Sequence, residues 1–221
     1  MTEEALREAV VAAARKLVAA GLAHGTSGNV SVRVGGGLLI TPSGVPYEEL
    51  AASDIVRLDE AGHPASGSRA PSSEWRMHRD IYASREEAFA VVHTHSLHAT
   101  ALACLREELP AVHYMVAAAG GAPVRCAGYA TFGTAELSAQ VLQALEGRRA
   151  CLLANHGLVT IGADLREAFR VAQEIERVAE IYLLARAAGR PNLLTDKEMA
   201  QVVKQFGSYG QPETHSPSSA D

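Results

Sequence analysis

The sequence predicts an α/β fold, a sheet covered by helices, and three observations carry that prediction. Segments with apolar residues at helical spacing interleave with short β-type runs along the chain, as in a sheet packed between helices. The apolar share of 48% and the charged share of 20% suit a buried core with a solvated surface. The 221 residues show no internal repeat and no shift in composition, and one large domain accommodates that length. The expectation is a single domain over 1–209 and a disordered tail over 210–221, where Pro, Ser and acidic residues gather.

Residues 4–22 form the first predicted helix, with Leu6, Val10, Ala14, Leu17 and Val18 on its apolar face. Gly25 and Gly28 mark a turn. Residues 30–34 then alternate as a strand, which Gly35-Gly36-Gly37 folds back onto 38–40. A helix with a serine placed to cap it starts near Pro71-Ser72-Ser73 and reaches about Ser84. Residues 88–92 are an apolar β-type run ending at His93-Thr94-His95, and a helix follows over 97–106. Strand-like segments near 111–116 and 123–126 precede a helix over 135–146 capped at Gly133-Thr134. Residues 150–154 read as a buried strand that stops at Asn155-His156-Gly157, with 158–161 as its successor. The longest helix runs from Asp164 to about Ala188, where Gly189 and Pro191 end it, and a short helix covers 195–206.

Composition excludes several function classes. The net charge of −5 argues against a polyanion partner, since nucleic-acid modules carry a basic stripe. The longest N-terminal apolar run, from Leu17 to Ala23, falls far short of the roughly 18 residues that a membrane span requires. Glu3, Glu4 and Glu8 have the wrong sign for a secretory leader. Cys104, Cys126 and Cys151 are odd in number and contain no CxxC pair, so reduced thiols and a cytoplasmic location are expected. Lysine occurs only at positions 16, 197 and 204, none in a buried-type segment. Imine chemistry needs a desolvated amine and is disfavoured here.

The chemistry concentrates at strand ends. On a strand, residues i and i+2 share a face, so His93 and His95 can converge on one ion. A surface pair, or core histidines bonded to backbone, would look the same. His156 also follows an apolar strand, beside a glycine that permits a sharp turn. Three imidazoles with a fourth position open are the usual catalytic zinc set. His98, one turn into the next helix, reads as structural or as a partner to a ligand. Glu74 is the carboxylate to pair with the histidines, although an acid at a helix start needs no role beyond its favourable interaction with the dipole. Ser72 and Ser73 at the same helix start suggest an anion cradle, hence a phosphorylated substrate. The hydroxyl-rich turns over 25–29 and 41–44 could extend that cradle or be plain hairpin turns; neither is a nucleotide-binding loop.

The blocks Gly25-Thr26-Ser27-Gly28-Asn29-Val30-Ser31, Ile40-Thr41-Pro42-Ser43-Gly44, Pro71-Ser72-Ser73-Glu74-Trp75-Arg76, His93-Thr94-His95, Tyr129-Ala130-Thr131-Phe132-Gly133-Thr134 and His156-Gly157 come in that order. Together they resemble the class II aldolase/adducin family, most closely its branch acting on L-fuculose 1-phosphate, from the first helix to about Tyr209. The resemblance implies a three-layer αβα sandwich with a central mixed, largely antiparallel sheet. It also implies an enzyme that splits a ketose 1-phosphate, foremost L-fuculose 1-phosphate, reversibly into dihydroxyacetone phosphate and L-lactaldehyde. One Zn²⁺ per subunit would be held by His93, His95, His156 and Glu74, with Glu74 then leaving the metal to act as acid/base. Thr26, Gly28, Asn29, Ser43, Gly44, Ser72 and Ser73 would take the phosphate, and Phe132 and Tyr209 would line the aldehyde side. Tyr114 would come from the adjacent subunit of a fourfold homotetramer and protonate the aldehyde oxygen. Asn155 stands where the pattern has another histidine, and Ser27 adds a hydroxyl to the phosphate turn. The same family also contains sugar-phosphate epimerases, decarboxylases and dehydratases, and a non-catalytic assembly module like the adducin head. The epimerase branch usually carries aspartate where this chain has Glu74, and the assembly module lacks the ligands.

Overall fold

A computed structural model describes residues 1–206; Tyr209 and the tail expected over 210–221 lie outside the described residues. The strands are β1 (Asn29–Val34), β2 (Gly37–Ile40), β3 (Val56–Asp59), β4 (Ala90–Thr94), β5 (Cys126–Ala127), β6 (Ala150–Leu153) and β7 (Gly157–Gly162). They form one mixed sheet in the order β3-β2-β1-β4-β7-β6-β5, in which only the β5–β6 pair is parallel. The helices are α1 (Glu3–Ala19), α2 (Trp75–Ser84), α3 (Leu97–Cys104), α4 (Ala135–Ala144), α5 (Leu165–Ala188) and α6 (Asp196–Phe206).

Strand alternation sorts the core into two layers. Val30, Val32, Leu39, Val92, Leu152 and Leu158 face one side, where they pack with Leu17 of α1, Leu102 of α3 and Ile175 of α5. Leu38, Ile40, Val91, Leu153, Val159 and Ile161 face the other side, against Ile81 of α2 and Val141 of α4. The result is the expected three-layer αβα sandwich. Strands buried on both faces must be nearly all apolar, which is why β4, β6 and β7 read as continuous runs. Each buried Leu, Ile or Val contributes about 1.5–3 kcal/mol relative to exposure.

Local sequence sets the helix starts. Side-chain oxygens of Thr2, Thr134 and Asp164 accept from Ala5, Leu137 and Glu167 amides and so cap α1, α4 and α5. The serine cap expected for α2 is different in kind: Glu74 occupies the cap position, and Ser72 Oγ accepts the Glu74 amide at 3.3 Å. Residues 111–116 do not form a strand. Tyr114–Ala119 is a 3₁₀ helix that buries Val116, Ala117, Ala118 and Ala119 together, and Gly120 ends it at φ 84°. A short apolar run carries no period that separates strand from helix. β3 was not expected, yet Val56 and Leu58 alternate with Arg57 and Asp59. No helix among the described residues is long and apolar enough to cross a membrane.

Candidate active site

Three chain segments meet at one edge of the sheet. Asn29 begins β1 and pairs with His93 near the end of β4, while β7 pairs with β4 on its other side. The turn from β6 into β7 therefore delivers His156 beside His93 and His95. Two glycines permit this approach. A Cβ at Gly157 would lie 2.3 Å from the Thr94 carbonyl oxygen. Gly28 has φ +77°, and a Cβ there would lie 2.7 Å from the His93 carbonyl oxygen.

The imidazoles meet edge to face, with ring centroids 4.8–5.0 Å apart. His93 Nδ1 lies 3.0 Å from the Leu158 carbonyl oxygen, which can only accept, so Nδ1 carries the proton and Nε2 turns to the cluster. His93 Nε2 is 3.0 Å from His95 Nε2 and 3.1 Å from Glu74 Oε2, while His156 Nε2 is 3.3 Å from Glu74 Oε1. One ligand atom from each of Glu74, His93, His95 and His156 lies within 4.8 Å of the others. Glu74 Oε1 is buried and accepts no hydrogen bond. A buried carboxylate oxygen without a donor, aimed among imidazole nitrogens, is the donor set that a divalent cation satisfies. The residues fit a metal ion.

The electrostatics agree. Burial opposes the Glu74 charge, but His93, His156 and the Asn29 amide outweigh it and hold the carboxyl below the usual range. Burial, followed by the neighbouring His93 charge, pushes His95 and His156 down to about 4, so both are neutral at pH 7 as ligands must be. Burial also works against a proton on His93, yet contact with Glu74 raises it. The carboxylate favours positive charge at this spot, and a proton or a divalent ion supplies it.

Around this cluster a cleft of about 440 Å³ is lined by Thr26, Gly28, Ser43, Gly44, Ser72 and Ser73 among others. The two serine-bearing turns are tied together: Pro42 bridges Pro71, and the Ser72 amide donates to the Thr41 carbonyl. Buried Tyr47 donates to the Gly28 carbonyl at 2.6 Å and fixes the third turn. Asn29 also borders the cleft, but its amide already bonds Glu74 Oε2 at 2.9 Å and His78 Nε2 at 2.5 Å. One Nδ2 hydrogen is left for a ligand. Phe132, which is 62% exposed, also lines the cleft, with Tyr129 and Asn155. Tyr114 is half-exposed and outside the cleft of its own chain. His98 is bound to Glu176 at 2.8 Å, the structural reading of that residue. Lys16, Lys197 and Lys204 are all exposed, so no desolvated amine exists for an imine.

Sequence reasoning missed His78, Ser31 and Tyr82 behind Glu74. The signal was in the spacing: His78 and Tyr82 follow Glu74 at i+4 and i+8, and Ser31 follows Asn29 at i+2.

The fold and the His/Glu cluster together define a class of protein, and the comparisons agree on it. The model of the family described as Class II Aldolase and Adducin N-terminal domain matches residues 8–183, and the chain belongs to that family. The 5-methylthioribulose-1-phosphate/5-deoxyribulose-1-phosphate aldolase of Rhodospirillum rubrum is 50% identical over 206 residues, covering 93% of each chain. The L-fuculose phosphate aldolase of Escherichia coli K12 is 46% identical over 211 residues, covering 95% of this chain and 98% of its own. A solved L-fuculose 1-phosphate aldolase superposes with a TM-score of 0.89 at 45% identity, covering 91% of this chain and 96% of the other.

Proposed function

We propose that this protein is a metal-dependent aldolase that cleaves a deoxyketose 1-phosphate reversibly into dihydroxyacetone phosphate and a small aldehyde. The observation that carries the reading is the buried Glu74 oxygen without a donor, set among His93, His95 and His156. L-Fuculose 1-phosphate, giving L-lactaldehyde, and 5-deoxyribulose 1-phosphate, giving acetaldehyde, are the two leading substrates, because relatives of similar identity carry both names. Both place a phosphate at one end and a methyl group at the other. A cleft lined by hydroxyls and glycines together with Tyr129 and Phe132 offers partners for both ends.

Zn²⁺ held by the three histidines and Glu74 would supply Lewis acidity for the oxygen charge that develops as C3–C4 breaks, worth several kcal/mol. Thr26, Gly28, Ser43, Gly44, Ser72 and Ser73 bind the phosphate and Asn29 contributes its remaining N–H, fixing the end remote from the chemistry. Glu74, once off the metal, takes the C3 proton at Oε1 in synthesis and returns it to C3 in cleavage. A positioned acid/base of this kind contributes about 10²–10⁴-fold. Tyr114 serves the active site of a neighbouring subunit in a homotetramer, where its phenol exchanges a proton with the oxygen that becomes the aldehyde.

The test is a panel of ketose 1-phosphates assayed for dihydroxyacetone phosphate, with metal analysis of the same preparation. Cleavage of at least one deoxyketose phosphate is expected, abolished by chelation with the far-UV spectrum unchanged. Full activity after complete metal removal would refute the assignment, and an epimerised or decarboxylated product would transfer it to another reaction of the family.

A further inference from the structure

Behind Glu74 runs a line of buried polar side chains of which only Asn29 has a role above. Asn29 Nδ2 lies 2.9 Å from Glu74 Oε2, Asn29 Oδ1 lies 2.5 Å from His78 Nε2, His78 Nδ1 lies 2.6 Å from Ser31 Oγ, and Ser31 Oγ lies 2.7 Å from the Tyr82 hydroxyl. His78 and Ser31 are fully buried and Asn29 and Tyr82 nearly so. These side chains come from the facing surfaces of β1 and α2, across one layer boundary of the sandwich.

The direction of every bond in this line is forced. Ionised Glu74 only accepts, so Asn29 must turn its NH₂ to Oε2 and its carbonyl oxygen away. That oxygen only accepts, so His78 Nε2 must carry the ring proton. Burial, with the nearby His93 charge adding to it, pushes His78 down to about 3, so the ring is neutral at pH 7 and Nδ1 is bare. Nδ1 then takes the single Ser31 proton, and Tyr82 must donate to Ser31. Each member holds the next in one orientation. An amide passes no proton, so the line cannot serve as a proton wire.

We propose that His78 is a positioning residue for this site: the Tyr82–Ser31–His78–Asn29 line locks the Asn29 amide so that it always donates to Glu74 Oε2, keeping Oε1 as the oxygen without a donor. Without His78, the Asn29 carbonyl oxygen loses its buried donor, and the side chain is free to leave the position from which its NH₂ meets Oε2. This inference rests on the reading of Glu74 as ligand and acid/base. Its physical content, the single polarity of the line, does not depend on the substrate.

Two measurements test it on the full chain. Long-range ¹H–¹⁵N spectra of the metal-free and the zinc-loaded protein at pH 7 are expected to show His78 as the Nε2–H tautomer in both. An Nδ1–H tautomer or a charged ring overturns the proposal, whatever the enzyme cleaves. In the cleavage assay, His78→Leu is expected to lower kcat by about 30–100-fold with KM changed less than about threefold, Ser31→Ala by about 3–10-fold and Tyr82→Phe by about twofold. His78→Gln, which offers one donor and one acceptor, recovers most of the His78→Leu loss. A flat series, a loss confined to KM, or failure of His78→Gln to recover activity while folded overturns the proposal. If His78→Leu does not fold, the spectra and the two milder variants still decide. If the parent protein cleaves no ketose 1-phosphate, the functional reading falls, while the spectra still judge the line by itself.

Discussion

β1 joins two cavities of different character. At its Asn29 end lies the cleft of about 440 Å³, and at its Val34 end a larger cavity of about 890 Å³ opens beneath the turn at Gly35 and Gly36. The larger one carries three arginines, Arg33, Arg57 and Arg79, and looks at first like an anion site. Every one of those guanidinium groups is engaged. Arg33 donates to the carbonyls of Tyr82, Arg85 and Ala88, Arg57 to Glu3 and the Gly35 carbonyl, and Arg79 to Asp80 and the Ala61 carbonyl. The smaller cleft instead keeps an undonated buried oxygen and imidazole nitrogens crowded onto one point. Volume does not mark the chemistry here; unsatisfied polar capacity does.

Substitutions at each end can break or sharpen this contrast. The largest effect is expected at Glu74. Glu74→Gln should retain zinc by metal analysis while kcat falls about 10²–10⁴-fold, and a fall below tenfold would remove Glu74 from the acid/base role. Gly28→Ala comes next. The positive φ and the contact with the His93 carbonyl should cost about 2–3 kcal/mol in denaturant unfolding, with a raised KM.

A smaller effect should appear in the pH dependence of stability. His78 is depressed to about 3 in the fold, against about 6.5 unfolded, so the unfolded chain takes up the proton first. The contribution of neutral His78 is therefore complete above the unfolded value and is lost as pH falls. Lowering the pH from 7 to 5 should cost about 2 kcal/mol from this group alone, a slope that His78→Gln removes. The smallest change belongs to the large cavity. Arg57→Ala removes a partly exposed ion pair with Glu3 and should alter stability by less than about 1 kcal/mol, with turnover within about twofold. A tenfold loss there would show that the cavity contributes to function.

The sequence alone carried much of this. Periodicity and apolar runs located most of the strands and helices, and the order of short blocks resembled a known family. His93 and His95 were legible as a pair because strand pleating places i and i+2 on one face. Where local signals are weak the strand expected over 111–116 does not form: Tyr114–Ala119 is a 3₁₀ helix that buries Val116–Ala119, and a short apolar run does not tell the two apart. Asn155 gave no sign of its left-handed backbone, φ 54°, or of the bond its side chain accepts from Arg106.

Residue types and spacing, then, determined which groups could ligate and that 30–34 folds back onto 38–40. Only the tertiary structure decided that β7 inserts between β4 and β6, so that His156 arrives beside His93, and that β1 lays Asn29 and Ser31 against α2. The reason is physical. Periodicity is local and fixes the direction in which a side chain leaves its own element, whereas convergence depends on strand order across the whole sheet, which no window of sequence contains.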